Sequence, residues 1–157
     1  MILYHGTYTE IQTIDLTACH PYKDFGKGFY LTDLEGQAMK MAAKKARLYK
    51  GEPIVLRYEF DAGILSSGEL LVKQFPAPNR EWAGFIYKNR SRSECFRHNF
   101  DIVTGPIAND GVAYLLDRYE EGSLTLDELA RELEYRDDLN NQYFFGTEKA
   151  LKYLKRL

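Results

Sequence analysis

The sequence predicts an α+β domain, and three observations carry that expectation. Short apolar runs of strand length are interleaved with longer segments of helical period, and neither type dominates. At 157 residues and 18.2 kDa the chain has the size of one domain, so a single unit over 1–157 is expected. A hydrophobic share of 45% beside 28% charged residues supplies a core and excludes wholesale disorder.

The elements follow in chain order. Residues 1–4 form a short apolar strand that stops at His5-Gly6-Thr7, a turn signal. Residues 28–32 form a second strand, introduced by Gly26 and Gly28. Thr32 or Asp33 then caps a helix over 34–49, whose stripe of Ala38, Met41/Ala42, Ala46 and Tyr49 has helical period. Gly51-Glu52-Pro53 stops it, and Met39 and Met41 are expected to pack. The remaining faces carry Lys40, Lys44, Lys45, Arg47 and Lys50, either a solvated surface or a guide for phosphate groups. Residues 54–60 alternate cleanly, with Ile54, Leu56, Tyr58 and Phe60 on one face of a strand. Residues 70–73 and 101–104 are shorter strands. Residues 81–89 form a helix burying Trp82, Phe85 and Ile86. Helices are expected over 112–119 and 126–135, an aromatic strand over 142–145, and a closing helix over 148–156 capped by Thr147.

Composition excludes several function classes. With 21 basic and 23 acidic residues the net charge is −2 and the pI ≈ 5.9, so no global basic field captures nucleic acid. Charge is segregated, basic early and acidic over 117–138, where a basic partner or solvent alone faces the surface. No apolar stretch approaches the roughly 20 residues of a membrane span, and the first ten residues lack a secretory pattern. Two cysteines, Cys19 and Cys95, suit a reducing compartment, so a cytoplasmic location without membrane attachment is expected. Adjacent Cys19 and His20 aim poorly at one ion with Cys95 and His98, so no metal is expected. The Asp24-Phe25-Gly26 triplet lacks the other kinase motifs. Asn109 and Asp110 fit an Asx turn or a substrate contact.

Three segments carry candidate chemistry. His5-Gly6-Thr7 offers an imidazole beside a glycine, where a ligand can approach the backbone. Lys23-Asp24-Phe25-Gly26-Lys27-Gly28-Phe29-Tyr30 offers a tyrosine face for a flat ligand, or simply a turn feeding a core strand. Asn140-Asn141-Gln142-Tyr143-Phe144-Phe145 reads as a pocket edge or a core strand after an Asn-rich turn.

In this order the three resemble the H-Y-[E/D/Q] signature of ADP-ribosyltransferases, the branch of diphtheria toxin and the poly(ADP-ribose) polymerases. The longer stretches KDFGKGFYLTDLEGQA, FDIVTGPIAND and NQYFFGTEKALKYL resemble an uncharacterised bacterial family of small stand-alone domains assigned to that superfamily. The resemblance covers nearly the whole chain. It implies a split, mostly antiparallel β-sheet pair with flanking helices around an NAD⁺ cleft. It implies an NAD⁺-dependent mono-ADP-ribosyltransferase, a glycosyltransferase that releases nicotinamide and modifies a protein or nucleic acid. By analogy with small bacterial relatives it implies a toxin or effector with a neutralising partner protein.

The implied roles fall on particular residues. His5 binds the adenosine-side ribose, the Gly6 main chain holds the carboxamide, and Thr7 supports the turn. Gly28 belongs to the cofactor-binding segment, and Tyr30 stacks on the nicotinamide ring. Gln142 stands where many relatives carry the glutamate that binds the nicotinamide-ribose 2′-hydroxyl, which favours single transfer over polymer elongation. Rival expectations on the same fold are an RNA 2′-phosphotransferase, marked by Arg57, Arg90, Arg92 or Arg97 in the cleft, and an NAD⁺ glycohydrolase. A third is a non-catalytic NAD⁺-binding or partner module.

Overall fold

The computed structural model describes residues 1–108, 111–134 and 140–157. The chain runs β1 (Ile2–Thr7), β2 (Phe29–Thr32), α1 (Glu35–Tyr49), β3 (Ile54–Phe60), β4 (Val72–Gln74), α2 (Arg80–Arg90) and β5 (Ile102–Pro106). It continues through α3 (Val112–Glu120), α4 (Leu126–Leu133), β6 (Asn141–Phe145), α5 (Glu148–Leu151) and β7 (Leu154–Arg156). This is the expected α+β class. The seven strands lie in the order β4-β5-β6-β2-β1-β3-β7, antiparallel throughout except for β4 beside β5.

The sheet is one hydrogen-bonded unit made of two halves, and the join between them is thin. β1 runs beside β3 for six registered pairs, whereas β1 and β2 register only at Tyr4↔Thr32. Backbone parity gives that join its meaning. Met1 and Phe60 exchange two main-chain bonds, so in this register Leu3, His5 and Thr7 also turn their amides toward β3. Tyr4 and Gly6 therefore turn theirs toward β2. On the far side, β5 and β6 bond at Asp101–Gly146 and Ile107–Asn140, so Gln142 and Phe144 spend their amides on β5. Tyr30 and Thr32 oppose those residues across β2 and β6, so theirs face β1. Gly6 and Tyr30 would make the next rung after Tyr4–Thr32, but the strands part there.

The two faces carry separate cores. Phe25, Phe75, Trp82, Val103, Leu129, Leu133 and Phe144 pack beneath α2, α3 and α4. Leu3, Phe29, Leu31, Leu56, Phe60, Ile102 and Phe145 form the core of the other face. α1 lies against β1 through Ala38, Ala42 and Ala46. Its closest approach is at Gly6, where a Cβ would lie 2.1 Å from the Ala38 carbonyl oxygen and 2.8 Å from the Ala42 nitrogen.

Four sequence expectations change. His5-Gly6-Thr7 is not a turn but the end of β1, because β3 pairs with it through Ile54. The first position before α1 is Leu34, without a side-chain cap, while the Thr32 hydroxyl accepts from the Leu34 amide at 3.3 Å. Met39 and Met41 do not pack: both are exposed, since the helix buries only its alanine stripe. The closing helix ends at Leu151 after its Thr147 cap, and residues 154–156 form β7 instead. Tertiary pairing decides that: β7 covers the edge of β3, and Arg156 bonds Glu10 and the Ile11 carbonyl. Asn109, Asp110 and the helical expectation for Tyr135 fall outside the described residues, as does part of the acidic stretch over 117–138.

Candidate functional site

The opening between Gly6 and Tyr30 collects most of the anticipated residues. The His5 side chain leaves β1 on the opposite face from Gly6, stacks on Phe29 at 4.4 Å and bridges the split edgewise. Its Nδ1–H donates to the Tyr30 carbonyl at 2.6 Å, replacing the missing rung. A carbonyl can only accept, so this bond fixes the tautomer and makes Nε2 an acceptor. Burial first, then the Lys45 charge, lowers the imidazole pKa from 6.5 to about 4, so the ring is neutral at physiological pH.

That neutral ring predicts acid sensitivity. Below 6.5 the unfolded chain takes up a proton that the folded chain refuses until about 4. Stability is therefore intact above 6.5 and is lost as pH falls, by about 3 kcal/mol from this group at pH 4. Urea unfolding of wild type and His5→Asn at pH 7 and pH 4 checks this. The variant keeps a donor for Tyr30 but has no proton to gain, so its loss should be smaller by that amount.

Thr7, expected to support a turn, instead ends the strand: its hydroxyl donates to the Thr9 carbonyl at 3.2 Å and accepts from the Thr9 amide at 3.5 Å. The role foreseen for the missing Gly6 Cβ is different, because α1 and not a ligand fills that space. The Gly6 carbonyl, facing the split, accepts from Lys45 Nζ at 2.7 Å. At Gly28 a Cβ would lie 2.3 Å from the Phe144 ring, so this glycine seats an aromatic that in turn meets Tyr30 edge-on at 5.4 Å.

Tyr30 is half-buried and held at both ends. Its hydroxyl donates to the Gly26 carbonyl at 2.7 Å and accepts from the Phe25 amide at 3.0 Å, which ties the preceding loop to β2. Burial, then the nearby Asp24 charge, raises its pKa well above the usual value, so it stays a phenol. Lys23 Nζ lies 5.2 Å from the ring centroid.

Gln142 shares the Tyr30 face through the rung Tyr4–Thr32–Gln142, two strands and about 10 Å from β1. It is buried, and its Nε2 donates to Asp24 Oδ2 at 2.9 Å and to the Pro106 carbonyl at 3.3 Å. Those bonds use both amide hydrogens, so the remaining hydrogen-bonding group of Gln142 is an acceptor, Oε1. Asp24 Oδ1 in turn accepts from Arg90 Nε at 2.6 Å, and its side chain is only 10% exposed. An Arg90–Asp24–Gln142 chain therefore joins α2, the loop before β2 and β6.

Sequence reasoning gave Lys23 and Asp24 no role of their own, read Lys45 only as one of several helix-face cations, and set Cys19 aside as a metal ligand. Burial, then repulsion from Lys23, lowers the Lys45 pKa from 10.5 to about 8. Burial also leads in lowering Lys23 and in raising the Cys19 thiol, each of which feels the charge of the other. A signal for Lys45 existed: it stands three residues after Ala42 and seven after Ala38, on the flank of the buried stripe. Arg90 also borders a groove of ≈ 400 Å³ shared with Tyr22, Tyr87 and Arg92, whose lining includes neither His5 nor Tyr30. Among the described residues, Asp33 Oδ1, just after β2, and Asn140 Oδ1, just before β6, are buried without a hydrogen-bond partner. Among the described residues no three metal-ligating side chains converge. Nor is any described helix long and apolar enough to cross a membrane.

Fold and site together define a small α+β domain whose two half-sheets join at one registered rung, with His5 bridging to the Tyr30 carbonyl beyond it. The chain belongs to the family described as Protein of unknown function (DUF3990), matched over residues 1–156. No curated protein and no solved structure matches it.

Proposed function

We propose that the chain is a cytoplasmic mono-ADP-ribosyltransferase that uses NAD⁺, releases nicotinamide and modifies a macromolecular acceptor. The observation that carries this is the interrupted ladder, in which the Gly6 and Tyr30 main chains face each other across a split beside an acceptor imidazole. A primary carboxamide is a donor and an acceptor on one planar group, and the Gly6 amide and carbonyl are its complement. His5 Nε2 suits a ribose hydroxyl, the Tyr30 ring suits a flat pyridinium, and Gln142 Oε1 suits the second ribose.

In the reaction the bond from ribose C1′ to the pyridinium nitrogen breaks, and its electron pair makes nicotinamide neutral. C1′ then bonds the acceptor, which loses a proton. Positive charge develops on the sugar, and a fixed negative group nearby favours it. Gln142 is neutral, but Asp24 directly behind it carries a carboxylate. Of the arginines that would mark an RNA 2′-phosphotransferase, Arg90 reaches Gln142 through Asp24, its Nε spent on that carboxylate, while Arg57, Arg92 and Arg97 are exposed.

Incubation of the protein with labelled NAD⁺ and cell lysate tests the proposal. Label transfer and nicotinamide release are expected from wild type, reduced about tenfold or more in His5→Ala and Tyr30→Ala, the loss of a bond or stack of about 1.4 kcal/mol. Release without transfer would make it a glycohydrolase, and binding without release a non-catalytic module. Neither product with any lysate overturns the proposal.

A further inference from the structure

We propose that Lys45 and Lys23 hold, as intramolecular cations, the two points at which a nicotinamide would be gripped. NAD⁺ then enters by exchanging its pyridinium for them, and the freed ammoniums pass to its diphosphate. This rests on the NAD⁺ reading above and adds how that site is regulated.

Both contacts are specific. Lys45 Nζ is 2.7 Å from the Gly6 oxygen, the acceptor a carboxamide N–H needs. Lys23 Nζ lies over the Tyr30 ring, and a face that attracts an ammonium attracts a pyridinium through the same quadrupole. Neither lysine belongs to a solvated surface. Both are half-buried, whereas Lys40 and Arg47 on the same helix as Lys45 are exposed.

The arrangement is unfavourable enough to be displaced. Each ammonium has lost water, which lowers both pKa values, and Lys45 is lowered further by the Lys23 charge. A ligand that brings its own cation for the ring and an anion for the lysines relieves both penalties at once. Four-carbon stems let each ammonium travel several ångströms with the backbone fixed. The exchange also favours release: once the C1′–N bond breaks, nicotinamide is neutral, its hold on the Tyr30 face weakens, and the lysines can return.

Calorimetric titration with two probes separates the contributions. Nicotinamide riboside carries the cationic ring without phosphate, and NAD⁺ carries both. Lys45→Met is expected to bind the riboside about tenfold tighter than wild type and NAD⁺ about tenfold weaker. Lys23→Met, which leaves the Gly6 contact in place, should show the same opposite signs and serves if the first variant does not fold. Unchanged affinities, or changes of one sign for both ligands, in a protein whose wild type transfers ADP-ribose overturn the exchange alone. A wild type that binds neither probe and releases no nicotinamide overturns the NAD⁺ reading and the exchange with it.

Discussion

Gly6→Ala is expected to cost about 3 kcal/mol or more, because the added methyl group meets backbone and not a movable side chain. Its Cβ would sit 2.1 Å from the Ala38 oxygen and 2.8 Å from the Ala42 nitrogen. Neither atom can yield unless α1 lifts from β1 along its whole length. Lifting α1 also withdraws Lys45 from the Gly6 carbonyl and widens the split, so stability and nucleotide binding should fall together. Thermal unfolding should drop by roughly 10 °C for a domain of this size. Gly36→Ala is the control: it lies in the first turn of the same helix, and nothing stands within 4 Å of its Cβ. That substitution should leave the midpoint unchanged or raise it slightly. A midpoint for Gly6→Ala within 2 °C or so of wild type would mean that α1 is not seated as described.

How far the sequence announced this arrangement depends on the range of the interactions. β3 was legible because its alternation of Ile54, Leu56, Tyr58 and Phe60 is local, and α1 because its alanines repeat at helical period. β7 was not, since three residues of Leu-Lys-Arg have no strand pattern of their own and pair only because β3 offers an edge. His5, Gly6 and Thr7 were located by identity but misjudged as a turn. The glycine suggested a break in the chain, whereas its function is to let a helix backbone approach a strand. Asp24 and Gln142 are 118 positions apart, and no spacing rule anticipates that two polar residues from a loop and a strand share a buried hydrogen bond. The same holds for Lys45 and Gly6, whose meeting depends on how α1 crosses β1. Local pattern thus gave most of the elements, while the candidate site residues were picked out by the order of three motifs. How Asp24, Lys45 and Gln142 are partnered came only from assembly.

Gln142→Glu introduces the residue that the proposed function would favour at this position, yet here it is expected to damage the protein. The amide nitrogen now donates to Asp24 Oδ2 at 2.9 Å and to the Pro106 carbonyl at 3.3 Å. A carboxylate there would present oxygen to two oxygens, one of them already charged, in a buried position. Arg90, whose Nε is already bonded to Asp24 at 2.6 Å, would then be shared between two carboxylates. Losing both donors and adding an unpaired buried charge should cost about 3–4 kcal/mol at neutral pH. The penalty should shrink in acid, because two carboxyls in contact hold one shared proton more tightly than the unfolded chain does. Denaturation at pH 5 and pH 8 distinguishes this from simple misfolding: the gap to wild type should be larger at pH 8. On the proposed function, transfer of ADP-ribose should fall and not rise, since in that reading Asp24, behind the oriented amide, would supply the negative charge for the developing sugar cation. A variant that is as stable as wild type at pH 8 and turns over faster would show that Asp24 does not fill that role.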